Sequence, residues 1–195
     1  MSVQLYLASR SPRRAAFLAA LGLRHALIDG DVSEVPRPGQ SPQDYALETA
    51  IAKARAGAAN ARLDIPVLAA DTDVAIDGRI LGKPRDADDA VAMLLALANR
   101  AHQVVSAVAV IHGARLETVV ATTEVVFGAV DEQDARAYDD SGEPLDKAGA
   151  YGIQGYAARW VRRVEGSYTN IVGLPLFETA ELLARFGVHA SRLAP

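Results

Sequence analysis

Cysteine is absent from all 195 residues. That excludes disulfides, thiolate catalysis and zinc–thiolate centres. No apolar run approaches the length of a membrane span. The first residues lack a basic region followed by an apolar stretch and a cleavage site, so the expected location is the cytoplasm, away from membranes. A surplus of basic residues is missing too: 20 Lys and Arg face 24 Asp and Glu, for a formal charge of −4. A general nucleic-acid binder needs the opposite balance to displace counterions, although a local basic pocket remains open. The histidines, His25, His102, His112 and His189, show no metal-ligand spacing and read as structural or surface residues. No internal repeat or long linker interrupts the chain. Half of the residues are hydrophobic, enough for one domain over residues 1–195 or two tightly joined lobes.

What is present begins with a β-rich run at residues 3–8. Ser11 then offers an N-cap and Pro12 a first helical position, with Gly22 closing the helix. A second short strand is expected at 25–28. Residues 29–40 are loop-like, and the glycine and proline of residues 29–42 can mark a hinge between lobes. Ser41-Pro42 repeats the cap-and-proline start of a helix reaching about residue 60. Residues 67–70 form a buried strand that ends at Asp71-Thr72-Asp73. A hairpin follows around Asp77-Gly78. Asp86 and Asp131 cap two further helices, and long strands cover 104–111 and 116–127. Residues 159–164 and 168–172 read as a strand pair around Glu165-Gly166, before a last helix at 176–186. Trp160 and Tyr168 read as packing residues. Helices mixed with frequent hairpins favour an α/β fold with a mixed sheet over a purely parallel one.

Five segments carry candidate chemistry. In Ser9-Arg10-Ser11-Pro12-Arg13-Arg14, two serines and three arginines crowd a helix N-terminus. Free N–H groups, the dipole and planar guanidinium forks suit a phosphate there. The plain alternative is a capped helix with solvated arginines, and the pattern alone does not choose. Asp71 and Asp73 can hold a hard cation or orient a water, or simply make a turn. If the strand stays extended, Thr72 points to the opposite face. Lys83, between Gly82 and Pro84, can neutralise a phosphate or be a solvated loop charge. Lys53 lies on a stripe of small residues with Ala46, Ala50 and Gly57, and can enter a cleft or snorkel to water. Residues 142–155, rich in glycine, suit a loop that covers a ligand. Within it, the donors and acceptor of Gln154 fit the edge of a base.

Together these segments resemble the Maf family of nucleotide pyrophosphatases. The matching motifs run in order: Ser9 to Arg14, Glu48 to Lys53-Ala54, Ala70-Asp71-Thr72, Gly82-Lys83-Pro84, Asp146-Lys147-Ala148-Gly149 through Gln154-Gly155, Gly166-Ser167-Tyr168 and Val172-Gly173-Leu174-Pro175. The resemblance implies an elongated mixed β-sheet flanked by helices, in two lobes around a cleft, as in inosine triphosphate pyrophosphatases. It implies hydrolysis of a nucleoside triphosphate to the monophosphate and pyrophosphate with a divalent cation, Mg or Mn. The stretch from Asp146 to Gly155 looks like the branch acting on dTTP and UTP. By that resemblance Asp71 is the proton acceptor, while Arg13, Thr72 and Gln154 govern substrate choice. Glu34, Lys53 and Lys83 complete the phosphate and metal site, with Glu34 or Asp71 as the carboxylate that meets the metal; Asp71 is either base or metal ligand. Asp73 stands where that family usually has an uncharged residue; it either adds to the metal site or faces solvent, and is not placed among the catalytic groups. A homodimer and an association with septum formation follow by family analogy alone. The competing readings are a pyrophosphatase for methylated GTP or non-standard purines, and a non-catalytic septum-associated regulator.

Overall fold

The structure is a computed structural model and describes residues 2–190; Met1 and residues 191–195 of the expected domain lie outside it. The strands are β1 (Leu5–Leu7), β2 (His25–Leu27), β3 (Val67–Ile76), β4 (Arg79–Ile80), β5 (Ala101–His112), β6 (Arg115–Phe127) and β7 (Val161–Glu165). The helices are α1 (Pro12–Ala20), α2 (Pro42–Asn60), α3 (Ala87–Leu97), α4 (Glu132–Asp139), α5 (Tyr168–Val172) and α6 (Leu176–Ala184). The strands form one seven-stranded sheet in the order β2-β1-β3-β5-β6-β7, with β4 paired to β3. β1 runs parallel to β2 and β3, and every other pairing is antiparallel. The expected mixed sheet with flanking helices is what the chain forms. Among the described residues no helix is long and apolar enough to cross a membrane.

Side chains alternate along a strand, and β3 uses both of its faces. Leu68 and Ala70 join Leu5, Leu7 and Val110 under Leu18 of α1 and Leu182 and Leu183 of α6. Val67 and Ala69 join Ala8, Val105 and Ala107 against Ala46, Ala50 and Ala54 of α2. Small residues bring α2 close to the sheet: a Cβ added at Gly57 would sit 2.8 Å from Ala8 Cβ and 3.0 Å from Val67 Cγ1. A third apolar cluster, with Leu94 and Leu97 of α3, Tyr138 of α4, Phe127 and Trp160, covers the other end of the sheet. The cleft opens between this cluster and the body built on α1, α2 and α6.

Two expectations are corrected. β3 does not stop at Ala70 but continues through Asp71-Thr72-Asp73 to Ile76, because β5 pairs with it throughout, from Val67↔Ile111 to Ala75↔Gln103. Residues 168–172 are a helix, not the second strand of a pair. The Ser167 hydroxyl accepts from the Asn170 N–H and caps α5, and β7 pairs with β6 instead. Tyr168 is accordingly half exposed rather than packed inside, while Trp160 is buried. The hairpin at Asp77-Gly78 is as expected, with both residues at positive φ, 52° and 75°, the signature of a tight two-residue turn.

Candidate active site

The β1–α1 turn is held by side chains as well as by backbone. Ser9 Oγ accepts from the Ser11 N–H at 3.2 Å and from Arg14 Nη1 at 3.2 Å, and Ser11 Oγ caps α1 through the Arg14 N–H. Arg14 is buried. Its Nε donates to Gly173 O at 2.8 Å and its Nη2 to Thr72 Oγ1 at 3.1 Å. Thr72 Oγ1 lies 2.8 Å from Ser106 Oγ, which donates to Asn170 O at 3.0 Å. Burial lowers the Arg14 pKa, with the charge of Asp71 opposing that shift. Arg14, Ser9 and Thr72 therefore tie α1, β3 and the end of α5 into one polar network. Arg13, next along, is half-buried and turned towards Asp146, 3.6 Å away.

The other face of β3 carries the acids. Asp71 and Asp73 continue the alternation of Val67 and Ala69 towards α2, as extended geometry requires, with Thr72 on the opposite side. Lys53 Nζ donates to Asp71 Oδ1 at 2.7 Å and lies 2.5 Å from Glu34 Oε1. Burial opposes the charge of Glu34, but the hydrogen bond and charge of Lys53, helped by Lys83, outweigh it and lower its pKa. Asp73 is different. Burial, then the neighbouring Asp71, push its carboxyl up to about 8. Among the described residues no donor reaches its buried Oδ2. The Tyr45 phenol is raised to about 12 by burial and by Asp73, Asp71 and Glu34.

Residues 143–155 form the far wall, around two short 3-10 segments, Pro144–Asp146 and Ala148–Ala150. Gly149, at φ 69°, lets this wall meet β3: an added Cβ would lie 2.8 Å from Val74 Cβ. Its N–H donates to Gly82 O at 2.8 Å, tying the wall to the Lys83 loop. Glu143 Oε1 accepts from the Tyr138 hydroxyl at 2.9 Å, and Lys147 Nζ donates to Glu143 O at 2.6 Å. Lys147 thus holds the wall together. Lys83 and Gln154 are exposed on the cleft walls.

The cleft measures about 1130 Å³ and is lined by Ser9, Ser11, Arg13, Arg14, Glu34, Lys53, Asp71, Thr72, Lys83 and Gln154, so every residue singled out from the sequence meets there. Tyr45 and Asp73 line it too. Tyr45 is eight residues, or two helical repeats, before Lys53 on α2, with buried Thr49 between them. That spacing was a usable signal for its presence. Among the described residues no three acidic or histidine side chains form a metal-holding group. The oxygens on β3 nevertheless suit a hard cation that draws its remaining ligands from phosphate, since one buried carboxylate oxygen there has no donor.

Residues 4–186 match the model of the family described as Maf-like protein. A dTTP/UTP pyrophosphatase of Xanthomonas campestris is 48% identical over 190 residues, covering 95% of this chain and 100% of the relative. A dTTP/UTP pyrophosphatase of Escherichia coli O157:H7 is 48% identical over 182 residues, covering 93% and 92%. The solved nucleoside-triphosphatase / dITP/XTP pyrophosphatase of Mycobacterium abscessus overlaps 64% of this chain and 74% of its own, at 25% identity and a TM-score of 0.41, too loosely to bear on the site.

Proposed function

This chain belongs to the Maf-like protein family, and from that premise we propose that it hydrolyses dTTP and UTP to the nucleoside monophosphate and pyrophosphate. The observation that carries the reading is the Glu34–Lys53–Asp71 bridge set in a cleft of nucleotide size. The identity to relatives named for that activity supports the choice of substrate.

In this reading water attacks the α-phosphorus. The new P–O bond forms as the bond to the bridging oxygen breaks, and pyrophosphate departs with that electron pair. Phosphoryl chemistry of this kind asks for positioning and charge compensation more than for covalent help. Arg13, Lys53 and Lys83 hold the departing pyrophosphate. Asp71, kept in place by Lys53, takes the proton of the water. A divalent cation, Mg or Mn, would sit among the acids of the cleft and neutralise phosphate charge; the resemblance offers Glu34 and Asp71 for it. Arg14 and Thr72 act on substrate choice by fixing the β1–α1 turn from behind. Uracil and thymine share the O2, N3–H and O4 edge, which the Gln154 amide can address with both a donor and an acceptor.

The test is pyrophosphate release from dTTP, UTP, CTP, ITP and methylated GTP, with and without Mg²⁺ or Mn²⁺. Cation-dependent release from dTTP and UTP is expected. Preference for a purine would keep the chemistry and remove the assignment of Gln154. No hydrolysis of any of them would put a non-catalytic regulator first. Gln154→Ala is expected to blur the preference among bases more than it slows turnover, and unchanged selectivity would count against its role.

A further inference from the structure

We infer that Asp73 is a carboxylate ligand of the divalent cation, a duty that the family resemblance places on Glu34 or Asp71. The inference rests on the proposed pyrophosphatase reading and adds a residue to its site. Asp73 is 5% exposed, lies on the same face of β3 as Asp71, and borders the cleft. A carboxylate taken out of water needs hydrogen bonds or a counter-charge. Asp73 Oδ2 is buried and accepts no hydrogen bond among the described residues. The ammonium within reach is already committed, because Lys53 Nζ sits 2.7 Å from Asp71 and 2.5 Å from Glu34. Glu34 and Asp71 therefore hold this lysine between them, and the acid left over is the most buried of the three.

Glu34 is the weaker candidate on the same grounds. Its side chain is 36% exposed, its charge is matched by Lys53 and Lys83, and it hangs on a loop rather than a central strand. Small hard cations are commonly held by one or two protein carboxylates and completed by substrate phosphate. A carboxylate oxygen without a donor, on a residue that lines the cleft, is the cheapest one for such a cation to claim. The assignment also resolves a conflict of duties: Asp71, bonded to Lys53, stays free to receive the proton, while Asp73 carries the cation.

The experiment is a Mn²⁺ titration of the full chain, with free Mn²⁺ followed by electron paramagnetic resonance. It is run with and without a dUTP analogue whose α–β bridging oxygen is replaced by NH. Asp73→Asn keeps the volume and removes the charge, and is expected to weaken Mn²⁺ binding about tenfold or more, with Glu34→Gln costing under about threefold. Because the chain has no cysteine, Asp73→Cys gives an unambiguous second reading. Cd²⁺ should bind that variant more tightly than it binds wild type, with the ultraviolet absorption of a cadmium–thiolate bond. Absence of Mn²⁺ binding by the wild type, Asp73→Asn within about twofold of it, or a larger loss in Glu34→Gln would each overturn the inference. So would an Asp73→Cys variant that gives no cadmium–thiolate band. If no nucleotide releases pyrophosphate yet Asp73→Asn abolishes Mn²⁺ binding, the activity fails and the ligand assignment stands.

Discussion

Removing the charge of Asp73 should stabilise the cation-free protein, and more so as the pH rises. The carboxyl is raised from an ordinary 3.8 to about 8 by burial and by Asp71. A folded-state value above the unfolded one means that the folded chain keeps a proton the unfolded chain has lost. Stability is therefore intact below about pH 4 and erodes as the pH climbs towards 8. At 1.36 kcal/mol per unit, the whole displacement would cost ~6 kcal/mol if Asp73 bore it alone. Asp71 shares the proton, so about half, roughly 2–3 kcal/mol, is the expected penalty. Asparagine imitates the protonated acid and keeps a donor for Asp71. Asp73→Asn should thus unfold about 5–10 °C higher than wild type at pH 8 in EDTA, taking roughly 2–4 °C per kcal/mol for a chain of this size. At pH 4 the difference should nearly vanish. Thermal denaturation at both pH values is the assay. An equal shift at both, or a less stable variant at pH 8, would refute the account of Asp73 as a buried acid lacking a counter-charge.

Three other outcomes follow from the same geometry. Asp71→Asn should lower pyrophosphate release by about two orders of magnitude or more while leaving the melting temperature near that of wild type; near-normal turnover would remove Asp71 from the chemistry. Arg14→Met strips donors from Gly173 O, Ser9 and Thr72 and should destabilise by about 2–4 kcal/mol in urea titration. Arg14→Lys should not restore that loss, because one ammonium cannot copy the fork. Gly149→Ala places a methyl 2.8 Å from Val74 in left-handed backbone, and should raise KM for dTTP and cost about 2 kcal/mol or more. Gly142→Ala, with the same sign of φ but open space around it, should cost less and leave KM unchanged. Equal effects at the two glycines would dissolve the link between the far wall and substrate binding.

Much of this protein could be read along the chain. Ser11-Pro12 and Ser41-Pro42 mark both helix starts because capping is a local bargain between a side chain and the first free N–H groups. Asp77-Gly78 marks its hairpin because the turn demands positive φ from adjacent residues. The gathering of Arg13, Lys53, Asp71, Lys83 and Gln154 in one cleft was legible through the order of their motifs. Local rules failed where a partner from far along the chain prevailed. Asp71-Thr72-Asp73 looks like a strand end, yet pairing with β5 carries β3 straight through it. Residues 168–172 have strand-like composition, yet Asn170, bonded to Val104 O and Thr123 Oγ1, holds them against the sheet as a helix. The charge state of the acids was also beyond the sequence. Asp71 and Asp73 are the same residue two positions apart, and only packing decides that Lys53 reaches one and leaves the other buried without a donor. Residue type and spacing determined which groups this protein has to work with and which strand face they occupy, because alternation is a property of any extended chain. Which acid is paired and which is left for a proton or a cation was decided by the tertiary structure, because burial and counter-charge are set by neighbours that the sequence keeps far apart.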